Sequence, residues 1–417
     1  MTHPAPVLAA PSAPTLGLQL NGKFLSAAPT GVHRVAEELG NALADLIAEG
    51  HPAARGLALE VLSPRDGMAR AGAMRSPVRM LGPFVHIPWE QLALPLRRAR
   101  GRGVGTGPER AAGPGGEPVL QAGPAARPRW GSGQNRSLPQ GRALLLNLCN
   151  LGPVLTRDAV TMIHDVQVLL SPKSYRPAFR AWYRLIQPLI ARRHRLLLTV
   201  SDYSRRQIVA AELAPAARVA VIHNGVDHVR AVMPEPRVVA RLGLVPGSYV
   251  LALANTQAHK NIGVLLRAFA APELAGVRLV LFGGADRGAF AADGHAVPDN
   301  VVFAGRVEDG ELRALMEAAL CLAFPSTTEG FGLPPLEAML LGCPAVVAPC
   351  GALPEICGKA ALYAQPDDPA AWATAIGRLH DDADLRRHCV AAGRARAEMF
   401  TWRAAALNLA AVLGQFR

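Results

Sequence analysis

Short apolar runs alternate along the chain with longer stretches of helical period. The apolar runs read as strands at Leu16–Leu20, Leu57–Leu62, Ala143–Leu148, Ala159–Ile163, Leu196–Val200 and Val219–Ile222. A second set follows at Tyr249–Ala254, Val277–Phe282, Val301–Ala304, Leu320–Phe324 and Ala345–Ala348. Between them, amphipathic spacing predicts helices over Val32–Glu49, Arg176–Arg193, Ser204–Glu212, Ile262–Ala270, Glu308–Ala318, Pro334–Leu341 and Pro369–His380. Strands buried on both faces lose their polar alternation, so this pattern predicts parallel sheets covered by helices. Two such sets joined by one polar stretch predict an α/β protein of two facing, doubly wound, Rossmann-like domains. Ligands then belong in the cleft at the carboxyl ends of the strands.

Composition sharpens the boundaries. Residues 1–14 are rich in Pro and Ala and read as a disordered N-terminus. A first domain covers 15–230, interrupted at 100–141 by a segment dense in Gly, Pro and Arg. That segment buries too little apolar surface to offset its ordering entropy and reads as a disordered insertion. A linker at 231–247 leads to a second domain at 248–400, followed by a helix at 401–417. A chain of 417 residues, 50% of them hydrophobic, is no disordered tail, coiled coil or disulfide mini-protein. None of the six cysteines stands at CxxC spacing, so they read as small buried thiols in a reducing compartment. The N-terminus lacks a signal-peptide pattern, and no apolar run approaches the roughly 20 residues of a membrane helix. The expected location is cytoplasmic.

The net charge of +12 first raises nucleic acid as a partner. Such a surface interleaves cations with aromatics, yet aromatics are 5% of the chain, and the Arg-rich insertion holds the single Trp130. That partner is set aside. Arg192, Arg193, His194 and Arg195 close an apolar helical stretch. Two readings stay open for them: attraction to an anionic membrane surface, or cations that suit a helix C-terminus.

The densest chemistry lies in residues 323–348, AFPSTTEGFGLPPLEAMLLGCPAVVA. A strand runs into a polar loop, a Gly-rich turn and a helix expected to begin near Pro334. Free amides at such a helix start favour an anion. Glu329 and Glu337 flank the turn, and carboxylates beside a phosphate site suit sugar hydroxyls. A loop charge and a dipole-favoured surface Glu would account for the same pair. A metal-binding D-x-D after a strand is lacking. The one such spacing, Asp382-Ala383-Asp384, reads as a turn and helix cap, so no metal is expected.

Glu329 to Glu337 resembles the E-x7-E signature of retaining GT-B glycosyltransferases, specifically glycosyltransferase family 4. Residues 342–363, NTQAHKN (255–261), LVLFGG (279–284), 300–319 and TVSDYSRRQI…VIHNGVDH (199–228) resemble further family segments in family order. The resemblance covers most of residues 15–405. It implies a metal-independent, retaining hexosyltransferase that moves a sugar from a nucleotide-diphosphate donor to a saccharide or lipid-linked saccharide. Segments 21–35, 88–95 and 144–153 look like polysaccharide-assembly mannosyltransferases, which favours a GDP-mannose donor. Lipid-linked acceptors in the family also imply docking at the inner face of the membrane. Residues 400–413 resemble the terminal helix that crosses back to the first domain.

Residue by residue, the resemblance gives Glu337 the donor ribose and Glu329 the donor sugar. The backbone of Gly330, Phe331, Gly332 and Leu333 surrounds the donor. Lys260 neutralises the leaving diphosphate, which suits a group departing with extra negative charge. Gly31 belongs to the loop facing the diphosphate, and His164 lies beside the donor sugar, with Asp165 holding the loop. The family often carries an arginine shortly before this lysine, but LALANTQAHKN (251–261) has none. His259, Arg34 and Arg205 are the candidates to replace it. Ser201 or Asp202 reads as a helix cap, and Gly225 as a positive-φ turn. Other GT-B enzymes, such as an epimerase or phosphorylase, and an inactive scaffold are the remaining alternatives.

Overall fold

The computed structural model describes residues 16–27, 30–96 and 143–417. The expected disordered segments, 1–14 and 100–141, lie outside the described residues. The first sheet holds seven parallel strands in the order β3-β2-β1-β4-β5-β6-β7. These are β1 (Leu16–Asn21), β2 (Leu57–Ser63), β3 (Val78–Met80), β4 (Ala143–Asn147), β5 (Ala159–Met162), β6 (Leu196–Thr199) and β7 (Val219–Val221). The second sheet, also parallel, is ordered β10-β9-β8-β11-β12-β13. It comprises β8 (Tyr249–Ala254), β9 (Arg278–Gly283), β10 (Val301–Gly305), β11 (Cys321–Phe324), β12 (Ala345–Val347) and β13 (Leu362–Tyr363). Both sheets therefore reverse their winding once, between β1 and β4 and between β8 and β11, and these switch points open crevices for ligands.

Helices seat the loops at those crevices. α1 (Gly31–Ala48) starts at Thr30, whose hydroxyl accepts from the His33 amide, and buries Val35, Leu39, Leu43 and Leu46 on one face. In the second domain α2 (Leu333–Leu340) starts at Gly332, whose φ of +92° is a conformation that favours glycine. The terminal helix α3 (Trp402–Gly414) returns to the first domain and packs on α1, burying Leu409 and Leu413. The apolar cluster under β1 and α1 continues through this helix to Phe331 and Leu336, so one core spans both domains.

Gly225 corrects an expectation. Its φ is not positive. A Cβ there would lie 2.1 Å from the Trp402 backbone nitrogen, so glycine is required by the close pass of residues 401 and 402. Asp227 accepts from that same Trp402 amide at 2.7 Å, which pins the terminal helix to the N-G-V-D turn.

The basic group at the end of Pro177–Arg193 divides. Arg192 and Arg193 are exposed. His194 is buried against Thr161 and Pro153, and Arg195 pairs with Asp158. No helix among the described residues is long and apolar enough to cross a membrane.

Candidate active site

Lys260 follows β8 and Glu329 follows β11, the two strands that flank the second switch point. Their loops are stitched together by backbone and side-chain bonds. The Thr327 amide donates to the His259 carbonyl at 2.8 Å, and the Asn261 amide group donates to Pro325 and Pro366 carbonyls. The result is a 2.6 Å ion pair between Lys260 Nζ and Glu329 Oε1, with Lys260 also over the Phe324 ring.

This pair lines an interdomain cleft of about 900 Å³. Gly31, His164, His259, Lys260, Glu329, Gly330, Phe331, Gly332, Leu333 and Glu337 all line it, as the sequence reading expects. Arg205 does not. It sits 3.1 Å from Asp202 within its own helix, and its side chain is 42% exposed. Helical period alone did not tell which face of Asp202–Ala210 meets the cleft. Of the other two candidates for the missing arginine, His259 is a poor cation. Burial, then the neighbouring Lys260 charge, lowers its pKa, and its Nδ1 is 3.0 Å from the Ser174 hydroxyl. Arg34 remains. It reaches across the cleft from α1 to Asp309, 2.7 Å away.

The wall opposite Glu329 is built from the first domain. His164 follows β5 by two residues, and burial holds its pKa down to about 4, so it is neutral near pH 7 and donates from Nε2 to the Leu148 carbonyl. The tautomer follows from that carbonyl, which can only accept. Asp165 accepts from the Gln167 amide and keeps its loop in place. Burial raises its carboxyl to about 6, despite that hydrogen bond. Gly330 packs so near this loop that a Cβ would meet the His164 carbonyl at 2.6 Å.

Glu337, on α2, is 3.3 Å from His228 Nε2, and His228 Nδ1 accepts from the Trp402 indole at 3.1 Å. The helix begins at Leu333, one residue before Pro334. Pro334 and Pro335 carry no N–H, so the amides open to an anion are those before them, from Gly330 to Leu333.

One of the two expected caps is resolved, and several polar contacts at the cleft escaped sequence reasoning. Ser201, rather than Asp202, caps its helix by accepting from the Ser204 amide, and donates to the Gly330 carbonyl across the domains at 2.6 Å. Glu355 accepts from both Asp202 and Tyr203 amides at 2.8 Å. Burial opposes its charge, but His223 and these amides together hold its carboxyl below the usual range. Asn255, Gln257, Asp309 and Arg313 also line the cleft. Asp382 accepts from the Leu385 amide as a helix cap, and the described residues hold no group of three or more metal-ligating side chains.

The sequence profile described as "Glycosyl transferases group 1" matches residues 247–382, the part of the chain that carries Lys260, Glu329 and Glu337. O-antigen chain mannosyltransferase B of Escherichia coli is 32% identical over 58% of this chain and 67% of its own length. The chain belongs to the group 1 glycosyltransferases. A second relative of this glycosyltransferase, the MMP alpha-(1->4)-mannosyltransferase of Mycolicibacterium hassiacum, is 31% identical over 64% of this chain and 67% of its own. Among solved structures, Anabaena Alr3699/HepE in complex with UDP and glucose superposes with a TM-score of 0.64 at 19% identity. It covers 96% of this chain and 100% of that one. Such a likeness identifies the fold, and this glycosyltransferase has the GT-B architecture.

Proposed function

We propose that this glycosyltransferase moves a hexose, mannose favoured, from a nucleotide-diphosphate sugar to a saccharide or lipid-linked saccharide with retention of anomeric configuration. The observation that carries the reading is the Lys260–Glu329 pair at the second switch point, facing His164 across the cleft. The diphosphate displaces Glu329 from Lys260 and draws Arg34 away from Asp309, so two fixed cations replace a metal ion in stabilising the leaving group. The amides from Gly330 to Leu333 add donors, and Glu337 accepts from the ribose hydroxyls. Freed from Lys260, the Glu329 carboxylate accepts from the donor sugar's hydroxyls. Neutral His164 packs beside that ring, and a departing phosphate oxygen takes the acceptor proton. No side chain serves as covalent nucleophile in this scheme. Mannosyl transfer is favoured because both relatives named above are mannosyltransferases, and a nucleotide donor because the HepE structure holds UDP and glucose.

A lipid-linked acceptor is supported by the exposed Phe179 and Leu185 on the helix that ends in Arg192 and Arg193. Sedimentation with liposomes checks this part: binding that ignores anionic lipid content removes it. The donor is tested by a thermal-shift screen with GDP-, UDP-, ADP- and dTDP-sugars, followed by linkage analysis of the product. Selective stabilisation by one donor is expected. No stabilisation by any of them contradicts the reading.

A further inference from the structure

The first sheet has its own switch point, and a second cavity of about 150 Å³ lies there, apart from the donor cleft. Asn21 and Lys23 enter it from the end of β1, Cys149 from beyond β4, and His86 and Glu90 from the chain after β3. Glu90 is 3% exposed and uses both carboxylate oxygens: Oε1 accepts from Asn21 at 3.1 Å and Oε2 pairs with Lys23 at 2.8 Å. A buried polar chain fixes this arrangement from behind. Asn21 donates to Asn147 at 2.9 Å, Asn147 donates to Thr161 at 2.9 Å, and Thr161 lies 2.7 Å from His194. Such a chain is costly in a core unless every member is satisfied, and it holds its terminal groups rigidly.

We propose that this cavity binds an uncharged pyranose ring of the acceptor. Each Glu90 oxygen keeps acceptor capacity beyond the bond it makes, and the Lys23 ammonium keeps donors beyond its bond to Glu90. Paired acceptors beside a donor match adjacent sugar hydroxyls. Because Lys23 and Glu90 offset each other, a uronate or phosphate would face the carboxylate, and an amine would face the ammonium. A cavity of this volume has room for one six-membered ring. It is also placed for transfer. His33 lines this cavity while Gly31, Val32 and Arg34 line the donor cleft, so the start of α1 is a wall common to both. This assignment rests on the glycosyl-transfer reading and adds the acceptor's chemical class and location.

Saturation-transfer NMR on the full chain tests it, with the methyl α-pyranosides of mannose, glucose and galactose as probes. At least one neutral ring is expected to show saturation that persists when GDP fills the cleft, and methyl glucuronide is expected to show less. Glu90→Gln, which preserves shape, and Ala27→Phe, which fills the space, should each weaken the sugar about tenfold and leave GDP affinity unchanged. If Glu90→Gln fails to fold, Ala27→Phe carries the test, because it leaves the polar chain intact. The proposal is overturned by displacement of the sugar by GDP, by equal binding in the folded variants, or by no saturation with any neutral ring. Failure of GDP itself to bind would instead strike at the donor reading.

Discussion

Lys260 Nζ and Glu329 Oε1 meet at 2.6 Å although 69 residues separate them. Their strands are neighbours only because the second sheet reverses its winding between β8 and β11. The cleft thus holds Lys260 already paired, and under the proposed function a diphosphate would have to outcompete one carboxylate for it.

The proposed function gives Glu337 the donor's ribose. Replacing it by Gln keeps the shape and removes the charge that faces His228. Charge-assisted hydrogen bonds contribute about 1.5–3 kcal/mol, so the KM for the donor should rise roughly tenfold or more while kcat changes less. Initial-rate kinetics over a donor series checks this; an unchanged KM removes Glu337 from the ribose.

Arg34 and Asp309 give opposite predictions. The pair is partly exposed, with side chains 29% and 55% accessible, so on its own it contributes about 0–1 kcal/mol. Arg34→Ala should weaken GDP binding about tenfold and flatten its salt dependence, while Asp309→Ala should leave binding equal or tighter. Calorimetric titration at two ionic strengths distinguishes them. Equal weakening by both variants would make the pair a structural latch instead.

The fold was largely legible and the site partly so. Every one of the apolar runs read as strands forms a strand, because a parallel strand buried on both faces is written as an unbroken apolar run. The strands that escaped, Val78–Met80 and Leu362–Tyr363, are short sheet edges with no such run. The helix Ala383–Ala397 escaped because its buried face is Cys389, Gly393 and Ala397, small residues that leave no periodic apolar signal. Motif residues converge on the cleft as expected. The Asp309 partner of Arg34, 275 residues away, carries no local signal, and neither does the close backbone pass that demands Gly225.

That pass makes a stability prediction. Gly225→Ala places a methyl group inside the van der Waals radius of the Trp402 backbone, and rigid backbone cannot give way as a side-chain tip does. The cost should exceed about 3 kcal/mol, at the severe end for single substitutions. Chemical denaturation measures it; an unchanged midpoint contradicts the packing described for α3.

Asp165 gives a pH signature. Its folded-state carboxyl titrates near 6, above the ordinary 3.8, so the folded chain binds the proton more tightly than the unfolded one. Its contribution to stability is therefore greatest at low pH and falls as pH rises from about 4 to 6. Asp165→Asn, which mimics the neutral acid, should gain little near pH 4. Its gain should grow through that window and level off above pH 6 at on the order of 2–3 kcal/mol. Melting curves from pH 4 to 8 check the trend, and a gain independent of pH would contradict it. Neutral His164 shifts the opposite way in both proteins, losing stability as pH falls from about 6.5 towards 4, and cancels in the difference.

Under the proposed function, Lys260 stabilises a departing nucleotide diphosphate. The direct measurement is GDP release from GDP-mannose, with the mannosyl group passing to an added saccharide or to water, by the wild type and by Lys260→Ala, with folding verified by melting temperature. Removing a preorganised charge partner of a leaving group costs about 10²–10³ in rate, so Lys260→Ala should release GDP at least a hundredfold more slowly. A folded Lys260→Ala chain that releases GDP at the wild-type rate would contradict the account.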